Sequence, residues 1–219
     1  MSNVKERVGE CPALEVLERR DRAFRVLCDT ILQVERATEQ ETFSILCSNL
    51  RRISGAAGAV LASYEPVSGT LMLKAVDVEP GEECSSAEEC LGVTVDVPAG
   101  VMDALGTERV RECEEGGGGL RALLPDSVIG VFSGVKGATC YLLSCIREPN
   151  RLVVGAVWLH PGQKLDIETI GVVDVYLNVA SVILQRMYAV VALREAAERG
   201  YAMVQIADGA VGALGEVCH

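Results

Sequence analysis

Nine cysteines carry most of the chemistry this chain could do. Cys84 and Cys90 bracket Ser85-Ser86-Ala87-Glu88-Glu89, and Cys113 sits in Arg111-Glu112-Cys113-Glu114-Glu115. Thiolates converging from such loops hold a metal ion, a haem iron or an iron–sulfur cluster. Cys84, Cys90, Cys113 and Cys145 are therefore the candidate metal ligands, with Cys140 as a further thiol. The spacing is not the Cys-x-x-Cys of a dedicated zinc or cluster site. The surrounding Glu82, Glu83, Glu88, Glu89, Glu114 and Glu115 oppose thiolate formation by like-charge repulsion, which argues against a low-pKa nucleophile. A bound cation would relieve that repulsion. Cys140 and Cys145 are an odd number of positions apart on one predicted strand, so they face opposite ways and do not form one site. Cys47 falls on the apolar face of a predicted helix and is assigned to packing.

Other chemistry is sparse. His160 ends a strand before Pro161-Gly162, and His219 is the last residue. Neither suggests a haem ligand, so a haem would have to be held by cysteine. Gly116 to Gly119 lack a following Gly-Lys-Ser/Thr and are not a phosphate loop. No catalytic dyad, metalloprotease motif or dinucleotide fingerprint is present. With a net charge of -11 and basic pairs only at Arg19-Arg20 and Arg51-Arg52, the chain is not expected to bind nucleic acid. Met1 to Leu14 lack the apolar core of a signal peptide. The apolar window Gly171 to Leu193 carries Asp174, Asn178, Gln185 and Arg186, which would be costly in a bilayer. No membrane span is predicted, and a cytoplasmic location is expected. An odd cysteine count in a reducing compartment is not a disulfide framework.

The elements that position these residues follow from periodicity. A helix begins at Ala13, with Leu17, Phe24 and Ile31 seven apart. That heptad spacing suits a partner helix. Thr38-Glu39-Gln40-Glu41 is a capping box opening a second helix that Gly55 ends. Ala59 to Tyr64 and Thr70 to Val76 predict a hairpin. Leu91 to Val97 and Arg109 to Glu112 predict short strands, and Val101 to Leu105 a helical turn. Ala138 to Arg147 and Leu152 to His160 predict a second hairpin turning at Glu148-Pro149-Asn150. Along the last strand Val154, Ala156, Trp158 and His160 share a face, opposite Val153, Gly155, Val157 and Leu159. The β-branched set suits a helix layer, and Trp158 is then either an aromatic pocket wall or a core residue. Asp166 caps an exit helix reaching about Arg199, with Leu184 and Val191 on its apolar stripe. Gly200 is expected to end it. The predicted organisation is residues 1–37, tail and signalling helix; 38–199, sensory domain with its exit helix; and 200–219, a tail or the start of an output domain.

Three stretches carry a resemblance: Gly55-Ala-Ala-Gly-Ala-Val-Leu-Ala-Ser-Tyr64, Leu152-Val-Val-Gly-Ala-Val-Trp-Leu159 and Leu165-Asp-Ile-Glu-Thr-Ile170. In order and patterning, residues 38 to 195 resemble a GAF domain. The resemblance implies an α+β fold, a GAF-like antiparallel sheet with helices on one face and long N- and C-terminal signalling helices. It implies a small-ligand pocket on the other face, with Tyr64, Cys140 and Trp158 as candidate wall residues. It also implies a homodimer through the flanking helices, with Leu17, Phe24, Ile31, Leu184 and Val191 at the seam, and an output module such as a histidine kinase. Bilin-binding members place His directly after the attachment Cys. Here Tyr141 follows Cys140 and Ile146 follows Cys145, so a bilin is not expected. The cyclic-nucleotide signature Asn-Lys-Phe-Asp-Glu is absent. The layout of Cys84, Cys90 and Cys113 is similar to that of GAF-type free methionine sulfoxide reductases, though the Ala-Cys-Asp context is missing. The expectation is a sensory ligand-binding module, with a cysteine-held metal, haem or cluster redox sensor as the alternative and a thiol-based reductase as a lesser one.

Overall fold

The structure is a computed structural model that describes residues 12–65, 67–79, 90–97, 110–113, 140–144 and 152–217. The chain divides into two compact units, Met1–Ser181 and Val182–His219. The first holds helices α1 (Pro12–Val34) and α2 (Glu39–Ser54), a six-stranded sheet and the opening turns of α3. Helix α3 runs Ile167–Val217, and the second unit is its later part.

Local chemistry sets the helix ends. Thr38 Oγ1 accepts the Glu41 N–H at 3.3 Å, and the Glu41 carboxylate accepts the Thr38 N–H at 2.8 Å, so the capping box is complete. Gly55, at φ 65°, closes α2 with its N–H bonded to the Arg51 carbonyl. That left-handed conformation costs glycine little and a side-chain-bearing residue more. Asp166 Oδ1 accepts the Thr169 N–H at 2.7 Å and opens α3. Gly200 does not end α3, contrary to the sequence expectation. A glycine in a helix interior costs about 1 kcal/mol relative to alanine, but termination needs a chain reversal, and Gly200 lacks the positive φ of Gly55.

The strands are β1 (Gly58–Glu65), β2 (Thr70–Val78), β3 (Thr94–Asp96), β4 (Val110–Cys113), β5 (Cys140–Ser144) and β6 (Leu152–Trp158). Their order is β3-β2-β1-β6-β5-β4, and every neighbouring pair is antiparallel. The predicted helical turn at 101–105 and the turn at 148–150 lie outside the described residues. Leu61 pairs with Ala75 but Ala62 with Leu73, so Lys74 is the extra residue of a bulge. The bulge ties the sheet to α2. Gln40 Nε2 donates to the Lys74 carbonyl at 2.9 Å, Lys74 Nζ meets Glu39 at 3.1 Å, and the same ammonium lies 5.8 Å from the Phe43 ring centre.

The helices form one layer. Phe43, Leu46, Cys47 and Leu50 of α2 are fully buried. Tyr176 of α3 donates its hydroxyl to the Leu46 carbonyl at 2.8 Å. Helix α1 meets α2 through small residues: Ala23, Val26 and Thr30 are buried, and Asn49 Nδ2 donates to Thr30 Oγ1 at 2.9 Å. Its large heptad residues point the other way, with Leu17 67%, Phe24 65% and Ile31 52% exposed. In α3, Val173, Tyr176, Leu177, Ala180 and Leu184 are buried. By length and composition the stretch Ile167–Gly200 is apolar enough to cross a membrane, with a mean hydropathy of 1.7; within the first unit its buried residues are Val173, Tyr176, Leu177 and Ala180.

Replacing Thr38 by Ala removes the cap and should cost about 1 kcal/mol in denaturant unfolding. The Thr38 N–H, and the Thr38 hydroxyl, which donates to the same carboxylate oxygen at 2.8 Å, hold the Glu41 carboxyl below its ordinary pKa. Its contribution is therefore complete above the ordinary carboxylate range and lost as pH falls through the lowered value. Glu41→Gln should flatten the acid limb of the stability–pH curve, and an unchanged limb would contradict the capping account.

Candidate functional site

The two faces of the sheet are distinguished by one ion pair. The Arg51 guanidinium on α2 pairs with the Asp77 carboxylate on β2, so Asp77 faces the helices. Register carries that face across the sheet through Ala59, Val157 and Tyr141. Tyr141 accordingly accepts the Leu165 N–H on its hydroxyl at 3.2 Å, just before α3. Val153 and Val157, on the same side, are fully buried. Alternation places Val60, Ala62 and Tyr64 of β1, and Val154, Ala156 and Trp158 of β6, on the opposite face. That face is the candidate ligand surface.

Its residues form a graded wall. Trp158 is only 5% exposed, Val60, Ala62, Val154 and Ala156 are buried, and Tyr64 is half-buried. Gly58 pairs with Trp158, whereas Tyr64 pairs with Leu152, six residues further along β1. At about 3.4 Å per residue the two aromatics stand roughly 20 Å apart along one face. Cys140 is the register partner of Trp158 on one side and of Cys113 on the other. Thus the row across the sheet reads Val78, Gly58, Trp158, Cys140, Cys113.

Two of the candidate metal ligands are placed, at opposite edges of the sheet. Cys113 lies on β4, Cys90 is buried just before β3, and Cys84 and Cys145 lie outside the described residues. Among the described residues no group of three His, Cys, Asp or Glu side chains could hold a metal ion. Of the proposed seam residues on α3, Val191 is 39% exposed but Leu184 is fully buried in the single chain. Among the described side chains, the exposed large apolar positions on α3 are Ile167, Val175, Val182, Val190, Val191 and Leu193.

Sequence reasoning missed one cavity and two ion pairs. A cavity of about 380 Å³ on the helix side is rimmed by Arg22, Arg52, Lys164 and Asp166, with Val26 and Val172 beneath. Its charges come from three distant segments, so no local pattern announces it. Lys164 is held by Glu112 of β4 at 2.7 Å, which raises the pKa of the ammonium. His160 meets Glu79 at 3.0 Å and links the ends of β6 and β2.

This sheet, with its helices on one face and its strand order, is a GAF-like fold. Solved structures similar to it include chromophore-binding domains of phytochromes. The chromophore-binding domain of an unusual bacteriophytochrome, RpBphP3 from R. palustris, superposes with a TM-score of 0.58 at 12% identity, covering 78% of this chain and 63% of that one. A longer structure of that bacteriophytochrome is covered over 39% of its length, with a TM-score of 0.58 at 14% identity over 80% of this chain. The phycoerythrobilin-bound GAF domain of a cyanobacterial phytochrome superposes with a TM-score of 0.56 at 9% identity, over 76% of this chain and 96% of that domain. No protein-family model matches the sequence, and no curated protein does.

These likenesses correct one expectation. A bilin was set aside because no His follows Cys140 or Cys145, yet the neighbouring structures are chromophore-binding domains, one of them bilin-bound. The sequence test examined a single attachment motif, and the likeness rests on the whole backbone.

Burial raises the Cys47 thiol well above its ordinary pKa, with the Asp77 carboxylate adding to the rise. Cys28 is exposed. In the native protein at neutral pH, iodoacetamide should label Cys28 within minutes and leave Cys47 unlabelled until unfolding, as read by peptide mass spectrometry. Labelling of both at similar rates would contradict the packing described for α2.

Proposed function

We propose that this chain is a sensory module that binds a small molecule on the sheet face opposite α1 and α2, and that the ligand class is a linear tetrapyrrole of the bilin type. The observation that carries the reading is the superposition on bilin-type chromophore domains, which extends over nearly the whole of an isolated bilin-bound GAF domain. The buried, largely apolar wall of Val60, Ala62, Val154, Ala156 and Trp158 supports it, since such sites are mostly apolar with a few orienting polar groups. Covalent attachment through a Cys–His pair is not part of the proposal. The module acts in the cytoplasm and passes its state through α3 to an output domain such as a histidine kinase.

Dimerisation belongs to the same proposal. Helix α1 spends its small residues on α2 and leaves Leu17, Phe24 and Ile31 outward at heptad spacing, as a two-helix seam requires.

Protein incubated with biliverdin and passed through a desalting column should retain about one equivalent, with a visible band shifted from that of free pigment. Trp158→Ala should lower retention at least tenfold, as expected when an aromatic contact worth about 1.4 kcal/mol or more is lost. Pigment lost entirely on the column, with Trp158 fluorescence unchanged during titration, would refute the ligand assignment. Separately, Phe24→Glu with Ile31→Glu should shift the molar mass by light scattering from dimer to monomer. A variant that stays fully dimeric would remove α1 from the seam.

A further inference from the structure

The register of the last two strands brings together two cysteines that the sequence keeps apart. Cys113 of β4 and Cys140 of β5 are direct Cα partners in an antiparallel pair. Such partners stand about 4.5 Å or 5.5 Å apart at Cα, depending on whether they share ladder hydrogen bonds. Both values lie within the roughly 4.4–6.8 Å window that a disulfide spans. Strand β4 is at the edge of the sheet, so the pair joins an edge strand to the strand beside Trp158.

We propose that Cys113 and Cys140 are a reversible dithiol–disulfide pair, a modification site on the sheet edge. The oxidant is a low-molecular-weight disulfide such as oxidised glutathione. One protein thiolate attacks a sulfur of that disulfide, forming a mixed disulfide and expelling one small thiol. The second protein thiolate attacks the protein-side sulfur, closing the Cys113–Cys140 bond and expelling the other small thiol. Two electrons leave the protein, and the small disulfide becomes two thiols. In the oxidised form the edge strand is covalently fixed to β5 at the row containing Trp158. This inference is independent of the bilin proposal and needs no bound ligand.

The sequence supplies the assay. Trypsin releases Cys113 in peptide 112–121 and Cys140 with Cys145 in peptide 137–147. After treatment of the full chain with oxidised glutathione and blocking of free thiols, a non-reducing digest should contain these two peptides linked, with fragment ions assigning the bond to Cys140. The single tryptophan, Trp158, should change fluorescence on oxidation and recover with dithiothreitol. Cys113→Ser and Cys140→Ser should each abolish the linked peptide and the fluorescence change, while Cys28→Ser should keep both. Recovery of Cys113 and Cys140 as separately blocked or singly glutathionylated residues in the wild-type chain would overturn the proposal. A bond from either to a third cysteine would overturn it equally.

Discussion

The antiparallel pairing of β1 with β6 is the constraint on which the rest of this structure depends. It joins the first strand to the last, from Gly58 opposite Trp158 to Tyr64 opposite Leu152. The two strands lie in the middle of the sheet and are buried on both faces. Each fully buried valine or leucine there contributes about 1.5–3 kcal/mol relative to exposure. The entry to β1 locks this pair to its neighbours. Directly after the Gly55 turn, Ala57 donates its N–H to the Trp158 carbonyl at 2.8 Å and accepts the Glu79 N–H at 2.9 Å. A single residue thus holds the ends of β6 and β2 in line. Disturbing that turn would shift the helix layer and the candidate ligand wall together.

The same pairing gives the proposed signal a short route. Trp158 closes β6, and α3 begins at Ile167 after one turn containing Gly162. Leu165 is pinned to the Tyr141 hydroxyl, and Tyr176 to the Leu46 carbonyl, so the opening of α3 is referenced both to the sheet and to α2. A ligand shifts this arrangement only if it binds two states of it unequally. The groups that would differ between states are therefore the polar anchors around residues 141 to 176, since packed apolar contacts tolerate little displacement.

Much of this architecture is legible in the sequence because it is local. Thr38 and Glu41 lie within one turn of each other, and their capping box forms as the pattern requires. The alternation around Gly155 and Trp158 correctly separates the helix-facing side of β6 from the other side. The seven-residue spacing of Leu17, Phe24 and Ile31 marks one apolar face of α1, and the fold, not the spacing, leaves that face outward. Non-local facts are not legible. The partnership of Cys113 with Cys140 depends on the register of strands joined by a long connection. The Arg22–Arg52–Lys164 cavity gathers three segments that share no motif. Leu184 and Val191 share one apolar stripe, and only the fold distinguishes the full burial of the first from the 39% exposure of the second. The expectation against a bilin failed for a related reason: adjacency of Cys and His is a local test, whereas likeness to chromophore domains resides in the topology.

The account turns on coupling between the Trp158 face and α3. Hydrogen–deuterium exchange of the full chain with and without biliverdin tests it directly. The account predicts slower exchange in β1 and β6 together with a change in the opening turns of α3, around residues 167 to 181. Protection confined to the helix-side cavity at Arg22 and Arg52, or protection of β1 and β6 with α3 unaltered, would contradict it.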